Sequence, residues 1–175
     1  MSFFRNPNSA SPINGITATL LSSTGVTRAT LTGIVLSGFK PDQLRTATIR
    51  TLSDQIGANG VTIQISFTPK NTLRANDKGK VFVYFPRWNP DEGTFALHSL
   101  STPVCSSVTG MSSMMSCSYS QDTQFLTITN PVSSDTSGTL LTFSVTNFRN
   151  PYNGKPKTGY YIWTTDDQNG EIDSS

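Results

Sequence analysis

The single histidine of the chain is His98, in the stretch FALHSLSTP. A hydrolase built on it would need a nucleophile and an orienting acid, and a lone histidine in a Ser/Thr-rich chain is more often a surface residue than a general base. Acidic residues come together only at Asp91-Glu92, Asp166-Asp167 and Glu171 with Asp173, and nothing around them marks a glycosidase pair. There is no Gly-rich phosphate loop, zinc-ligand spacing or dinucleotide fingerprint. The expectation is a protein with no catalytic residues, no cofactor and no enzymatic activity.

Three sets of residues could still form sites. Asp166, Asp167, Asn169, Glu171 and Asp173 carry the hard oxygens that calcium prefers. Gly170 comes too early for an EF-hand loop, however, and no Glu closes twelve positions, so a hairpin turning at Asn169-Gly170 is the preferred reading. Asp166, Asp167 and Asp173 remain weak calcium candidates, and no metal is expected. The cysteines, Cys105 and Cys117, enclose the soft polar stretch SSVTGMSSMMS. A disulfide between them would pin a loop and indicate an oxidising compartment; two free thiols in a reducing cell are the alternative. They are too near in sequence to be expected to staple two sheets. Finally, Trp88, Tyr161 and Trp163 could stack on sugar rings or pack against a neighbour. Burial of these rings in the core is an equal alternative.

The elements that must position these residues read as strands. Val61, Ile63, Ile65 and Phe67 alternate with Thr62, Gln64 and Ser66, and Leu141, Phe143 and Val145 alternate with Thr142, Ser144 and Thr146; a half-buried strand has this period of two. Val81–Phe85 is apolar on both faces, as a central strand would be. Further strands are expected over Ile16–Ser22, Ala29–Gly38, Thr46–Leu52, Phe125–Thr129 and Gly159–Thr165, with one or two short ones within Phe95–Ser118. Asn-Gly and Asn-Pro pairs punctuate them. About eight or nine strands and no convincing helix give an all-β fold, an antiparallel immunoglobulin-like β-sandwich. Thirteen basic and eleven acidic residues leave a net charge of +2 without a basic run, so neither nucleic acid nor an anionic membrane is an expected partner. No apolar stretch is long enough for a membrane-spanning helix. The start at Met1 does not read as a signal peptide, so a secretion signal would lie outside this sequence.

The clearest pattern is a copied passage. Phe4, Arg5, Asn6 and Pro7 recur as Phe148, Arg149, Asn150 and Pro151, and Pro12 and Gly15 recur as Pro156 and Gly159, always 144 residues later. A fixed period marks a repeat array. Residues 1–28 then read as the tail of a preceding repeat, or as a strand available to a neighbour, and residues 29–175 as one complete module with its Cys105–Cys117 loop. The order ISFTPKNTLRANDKGKVFVYFP, a Cys pair, LTITNP, FSVTNFRNP and YYIWTTDDQNGEIDS resembles the repeated β-sandwich modules of very large ciliate surface and secreted proteins. The resemblance implies an extracellular or cell-surface, structural or adhesive setting, with no activity. Neighbouring copies of the module are the expected partners, and filaments formed by strand exchange are one expected outcome. A carbohydrate-binding module using exposed aromatics is the alternative.

Overall fold

A computed structural model gives the fold and describes residues 12–36, 40–76, 78–86, 96–97, 102–152 and 159–175. Every regular element among them is a strand. β1 (Ile13–Leu21) and β2 (Thr27–Leu36) form a two-stranded antiparallel ribbon. The others are β3 (Asp42–Gln43), β4 (Thr46–Thr51), β5 (Val61–Thr68), β6 (Gly79–Tyr84), β7 (Ala96–Leu97), β8 (Cys105–Thr109), β9 (Ser116–Ser120), β10 (Phe125–Thr129), β11 (Leu141–Arg149), β12 (Tyr161–Asp166) and β13 (Glu171–Ser174). They build a six-stranded sheet in the order β3-β13-β12-β6-β10-β9. A five-stranded sheet places β4, β5 and β11 side by side, with β7 and β8 both pairing with β11. The pairing of β3 with β13 is parallel; the rest are antiparallel.

The chain changes sheet repeatedly, and this lays two apolar faces on one core. β5 contributes Val61, Ile63, Ile65 and Phe67, and β11 contributes Leu141, Phe143, Val145 and Phe148. Across the core lie Val81, Val83, Leu126, Ile128 and Ile162 of the six-stranded sheet. Burying each such side chain stabilises the fold by about 1.5–3 kcal/mol. The outward Thr62, Gln64 and Ser66 of β5 are only half-buried. β11 differs from its expected pattern, because Thr142 and Ser144 are also buried. β11 runs between β5 and β8, so neighbours shield its outer face, and the Thr142 hydroxyl bonds the Ser66 hydroxyl at 2.9 Å. β6 is the central strand its composition predicts, lying between β12 and β10.

Two expectations are corrected. The strands outnumber the eight or nine expected. β3 and β7 have two residues each, too few for a period of two to show. β8 and β9 are Ser-rich, and β13 hides in the acidic segment because one of its inward residues is Asp173. The second correction concerns the cysteines. They lie on strands, not in a loose loop: Cys105 belongs to β8 of one sheet and Cys117 to β9 of the other. Their disulfide, with Cα atoms 6.0 Å apart, therefore ties the two sheets together at one edge. A short connection suffices because β8 and β9 are consecutive strands on opposite sheets.

Among the described residues, β1 and β2 pair with each other and with no strand of the larger sheets. β2 runs through the expected boundary at residues 28–29. A solitary ribbon in water is marginal, and this one carries an uncovered apolar face. Ile16, Ala18 and Leu20 pair with Ile34, Leu31 and Ala29 respectively, so all six share a side. Leu20 and Leu31 are 64% and 63% exposed. The threonines Thr17, Thr19, Thr30 and Thr32 take the other side.

Candidate functional site

At the end of β11 the repeated motif works as a clasp. The Phe148 ring is buried and packs on Phe85 with centroids 4.9 Å apart. Arg149 Nε donates to Asn59 Oδ1 at 2.6 Å. Asn150 is buried, and its Nδ2 donates to the carbonyls of Ser53 and Gln55 at 2.7 and 2.8 Å. Its backbone N–H reaches Ala58 O at 2.8 Å, and the Pro151 carbonyl accepts from Gly57 N–H at 3.0 Å. Together they fasten the connection from β4 to β5 against the strand end. An Asn suits the position because its two amide hydrogens satisfy two loop carbonyls at once. These contacts give the motif a structural role at this strand end. Its first copy, Phe4 to Pro7, lies outside the described residues, as do His98, Trp88 and Asp91-Glu92.

Downstream of the clasp, the geometry of β12–β13 repeats that of β1–β2. In β1–β2 the pairs are Thr19 with Thr30, Leu20 with Ala29 and Leu21 with Thr27, with a register irregularity before the last. In β12–β13 they are Trp163 with Ser174, Thr164 with Asp173 and Thr165 with Glu171, with the irregularity at the same place. Every partner lies 144 residues from its counterpart. The turns agree as well. Ser22 N–H donates to Val26 O at 2.7 Å, and Gly25 N–H to Ser22 O at 3.0 Å; Asp166 N–H donates to Gly170 O at 3.0 Å, and Asn169 N–H to Asp166 O at 3.2 Å. A side-chain oxygen closes each turn: Val26 N–H donates to Ser22 Oγ at 3.0 Å, and Gly170 N–H to Asp166 Oδ1 at 2.7 Å. Gly25 and Asn169 both sit at positive φ, 79° and 61°, a conformation that Gly and Asn tolerate best. Residues 19–30 and 163–174 have no residue type in common position by position; what the two hairpins share is their register and their turn geometry.

The inward positions correspond too. Ile162 and Thr164 of β12 are buried, and their counterparts are Ala18 and Leu20 on the apolar face of β1. One position differs sharply. Asp173 is fully buried (0% exposed), and its Oδ2 accepts from Lys70 N–H and Asn71 N–H, both at 3.0 Å. Its Oδ1 accepts from Asn71 Nδ2 at 2.8 Å. It caps the connection between β5 and β6, and its counterpart in β2 is Ala29.

The acidic candidates do not converge. Asp173 is committed to that cap, and Asp166 Oδ1 accepts from Gln168 N–H at 3.0 Å as well as from Gly170 N–H. Asp167 is exposed in the turn. Among the described residues no group of three metal-ligating side chains forms.

Of the aromatic candidates, Tyr161 and Trp163 lie on one surface, with partners the sequence reading missed, while Trp88 lies outside the described residues. On the outer face of the six-stranded sheet, Trp163 stacks on Phe82 with centroids 5.4 Å apart and planes 12° apart, and meets Phe125 edge-on at 5.1 Å. Tyr84 adjoins Phe125 at 5.6 Å and Tyr161 at 6.3 Å. Tyr161 is 55% exposed, while the others are half-buried. The five rings make a continuous apolar strip on β12, β6 and β10. Phe82 and Tyr84 belong to the strand read as apolar on both faces; their adjacency to Trp163 depends on register across three strands. On the inner face, Tyr119 packs edge-on to Phe85 and donates to Gln124 Oε1 at 3.1 Å. Burial, with a smaller contribution from nearby Tyr84, pushes its phenol up to about 12.

Comparisons with protein-family models, with characterised proteins and with solved structures find no match to this chain. The resemblance to ciliate surface modules therefore rests on the residues alone.

Proposed function

We propose that this chain is a non-enzymatic structural module of an extracellular repeat array or filament, with neighbouring copies of the module as its partners. The observation that carries the reading is a pair of hairpins, 144 residues apart, with the same pairs, irregularity and turn bonds. One hairpin closes the six-stranded sheet. Among the described residues the other stands outside both larger sheets and leaves an apolar face exposed, at positions whose counterparts in the first, Ile162, Thr164 and Asp173, are buried. A face like that marks an interaction surface. The Cys105–Cys117 disulfide is compatible with an oxidising, extracellular setting, and the sequence pattern resembles that of ciliate surface modules. In this reading the sandwich is immunoglobulin-like. The order β4-β5-β11-β8 facing β13-β12-β6 has the strand neighbourhoods of that type, and β9 and β10 are an added edge.

Sedimentation of the full chain, compared with a chain lacking Phe3–Leu21, tests the role of the hairpin. The full chain is expected to self-associate as concentration rises and the deletion to stay monomeric. Equal sizes at every concentration would sink the assembly role.

The aromatic strip favours a second reading, a carbohydrate-binding module. Aromatic rings at a half-exposed sheet surface stack readily on apolar sugar faces. Glycan-array binding that disappears in Tyr161→Ala, an exposed position whose loss leaves the core intact, would support it. No binding to any glycan would dismiss it.

A further inference from the structure

We propose that Asn59-Gly60 is a self-modifying site at the clasp. The Asn59 side-chain amide is lost as ammonia through a cyclic imide with the Gly60 nitrogen, and Arg149 is the group that promotes the step. An Asn followed by Gly carries both reactants in one dipeptide, because glycine has no side chain to hinder its amide nitrogen. The sequence has four such pairs, beginning at Asn14, Asn59, Asn153 and Asn169. Two of them can be compared directly, one in the connection from β4 to β5 and one in the turn from β12 to β13.

Three features meet at Asn59. Its Oδ1 accepts from Arg149 Nε at 2.6 Å, so a fixed cation polarises Cγ and faces the oxygen on which negative charge collects as the nitrogen attacks. The backbone before it is held, with Asn150 N–H on Ala58 O at 2.8 Å and Gly57 N–H on Pro151 O at 3.0 Å. The nucleophile itself is open. Among the described residues no loop or turn acceptor takes up the Gly60 N–H, both residues are exposed, and the space where a Gly60 Cβ would stand is empty. The step balances with water alone. Solvent base takes the Gly60 amide proton, the Gly60 nitrogen bonds to Asn59 Cγ, and the Cγ–Nδ2 bond breaks to release ammonia. Water then opens the imide. Opening at Cγ leaves an aspartate at position 59; opening at the main-chain carbonyl leaves its isomer, with the backbone routed through the side chain.

Asn169 supplies the contrast. Its Oδ1 is polarised in the same way, by Lys80 Nζ at 2.9 Å. Its nucleophile is tied up, because Gly170 is buried and its N–H donates to Asp166 Oδ1 at 2.7 Å. A carboxylate on that hydrogen opposes loss of the proton. The two products at position 59 act differently on the clasp. An aspartate sets a carboxylate against the Arg149 guanidinium and turns a neutral bond into an ion pair. The isomer lengthens the main chain beside Ala58, whose carbonyl holds Asn150, and slackens the loop. The clasp therefore carries a covalent change that accumulates with the age of the protein.

The test holds the full chain in mildly alkaline buffer, folded and again in urea, and follows conversion of amide to acid at positions 59 and 169 by peptide mapping. The ratio of the two rates, 59 over 169, is expected to be about tenfold or more higher in the folded chain than in urea, where neither site has its fixed neighbours. Arg149→Gln removes the cation. It should slow position 59 about tenfold in the folded chain and leave the rate in urea unchanged. The ratio in the parent chain is read whether or not the variant folds. A ratio no higher in the folded chain than in urea overturns the proposal, as does a folded Arg149→Gln chain that converts position 59 at the parent's rate. Neither outcome bears on the array reading, which rests on the two hairpins.

Discussion

Asn150 was legible as part of a copied motif, but its work was not. The overlay identified a strand end, while the two carbonyls it satisfies, Ser53 O and Gln55 O, lie almost a hundred positions earlier in the chain. Asn150→Ala strands those acceptors in a buried setting, and unsatisfied buried groups cost about 1–3 kcal/mol each. We expect a loss of about 2–4 kcal/mol in urea unfolding, with the sandwich fold retained in the survivors. Loss below about 0.5 kcal/mol would mean the clasp is ornamental. Tyr119 makes a pH prediction. Its folded value, about 12, stands above the ordinary 10.0, so the neutral phenol is the form the fold favours. Stability on its account is intact below pH 10 and falls as pH rises from 10 towards 12, where the unfolded chain ionises first. Tyr119→Phe should flatten that alkaline fall. A melting profile in which the variant falls as steeply as the parent would contradict the assignment.

Among the elements, the long strands were legible and the short ones were not. β5 and β11 declared themselves by alternation because one face of each meets the core. β13 did not, because an inward position is occupied by Asp173, a buried carboxylate whose three partners are invisible without the fold. The same blindness affected the cysteines. Spacing showed that they could pair, but only topology reveals that consecutive strands β8 and β9 lie on opposite sheets, which turns a loop pin into an inter-sheet tie. The disulfide closes a short loop, a sequence separation of 12, for which loop-closure entropy gives about 3 kcal/mol. Cys105→Ser with Cys117→Ser should therefore lower unfolding stability by about 2–3 kcal/mol and speed exchange in β8 and β9 most. A double variant as stable as the parent would show that the tie is redundant.

On the scale of the whole molecule, the proposed repeat reading joins the two hairpins. On that reading the apolar side of β1–β2 would face the inside of a sandwich, with Leu20 where Thr164 is buried and Ala18 where Ile162 is. Asp173 limits the exchange. A β1–β2 hairpin placed in an identical copy would bring Ala29 to that position and leave Lys70 N–H and Asn71 N–H without their cap. The better seat for β1–β2 is a sister module of the same fold whose connection between β5 and β6 needs no carboxylate. Contact between identical chains is therefore the weaker form, self-association that needs raised concentration, and a related module in an array is the tighter partner. Composition and periodicity could not supply this distinction, because it depends on which residue of each hairpin is buried against what. The most direct measurement is the intact mass and peptide map of the native polypeptide. The account predicts a polypeptide several times the 19.0 kDa of this chain, with further closing hairpins recurring about 144 residues apart; a single copy in a polypeptide of one-module mass would contradict it.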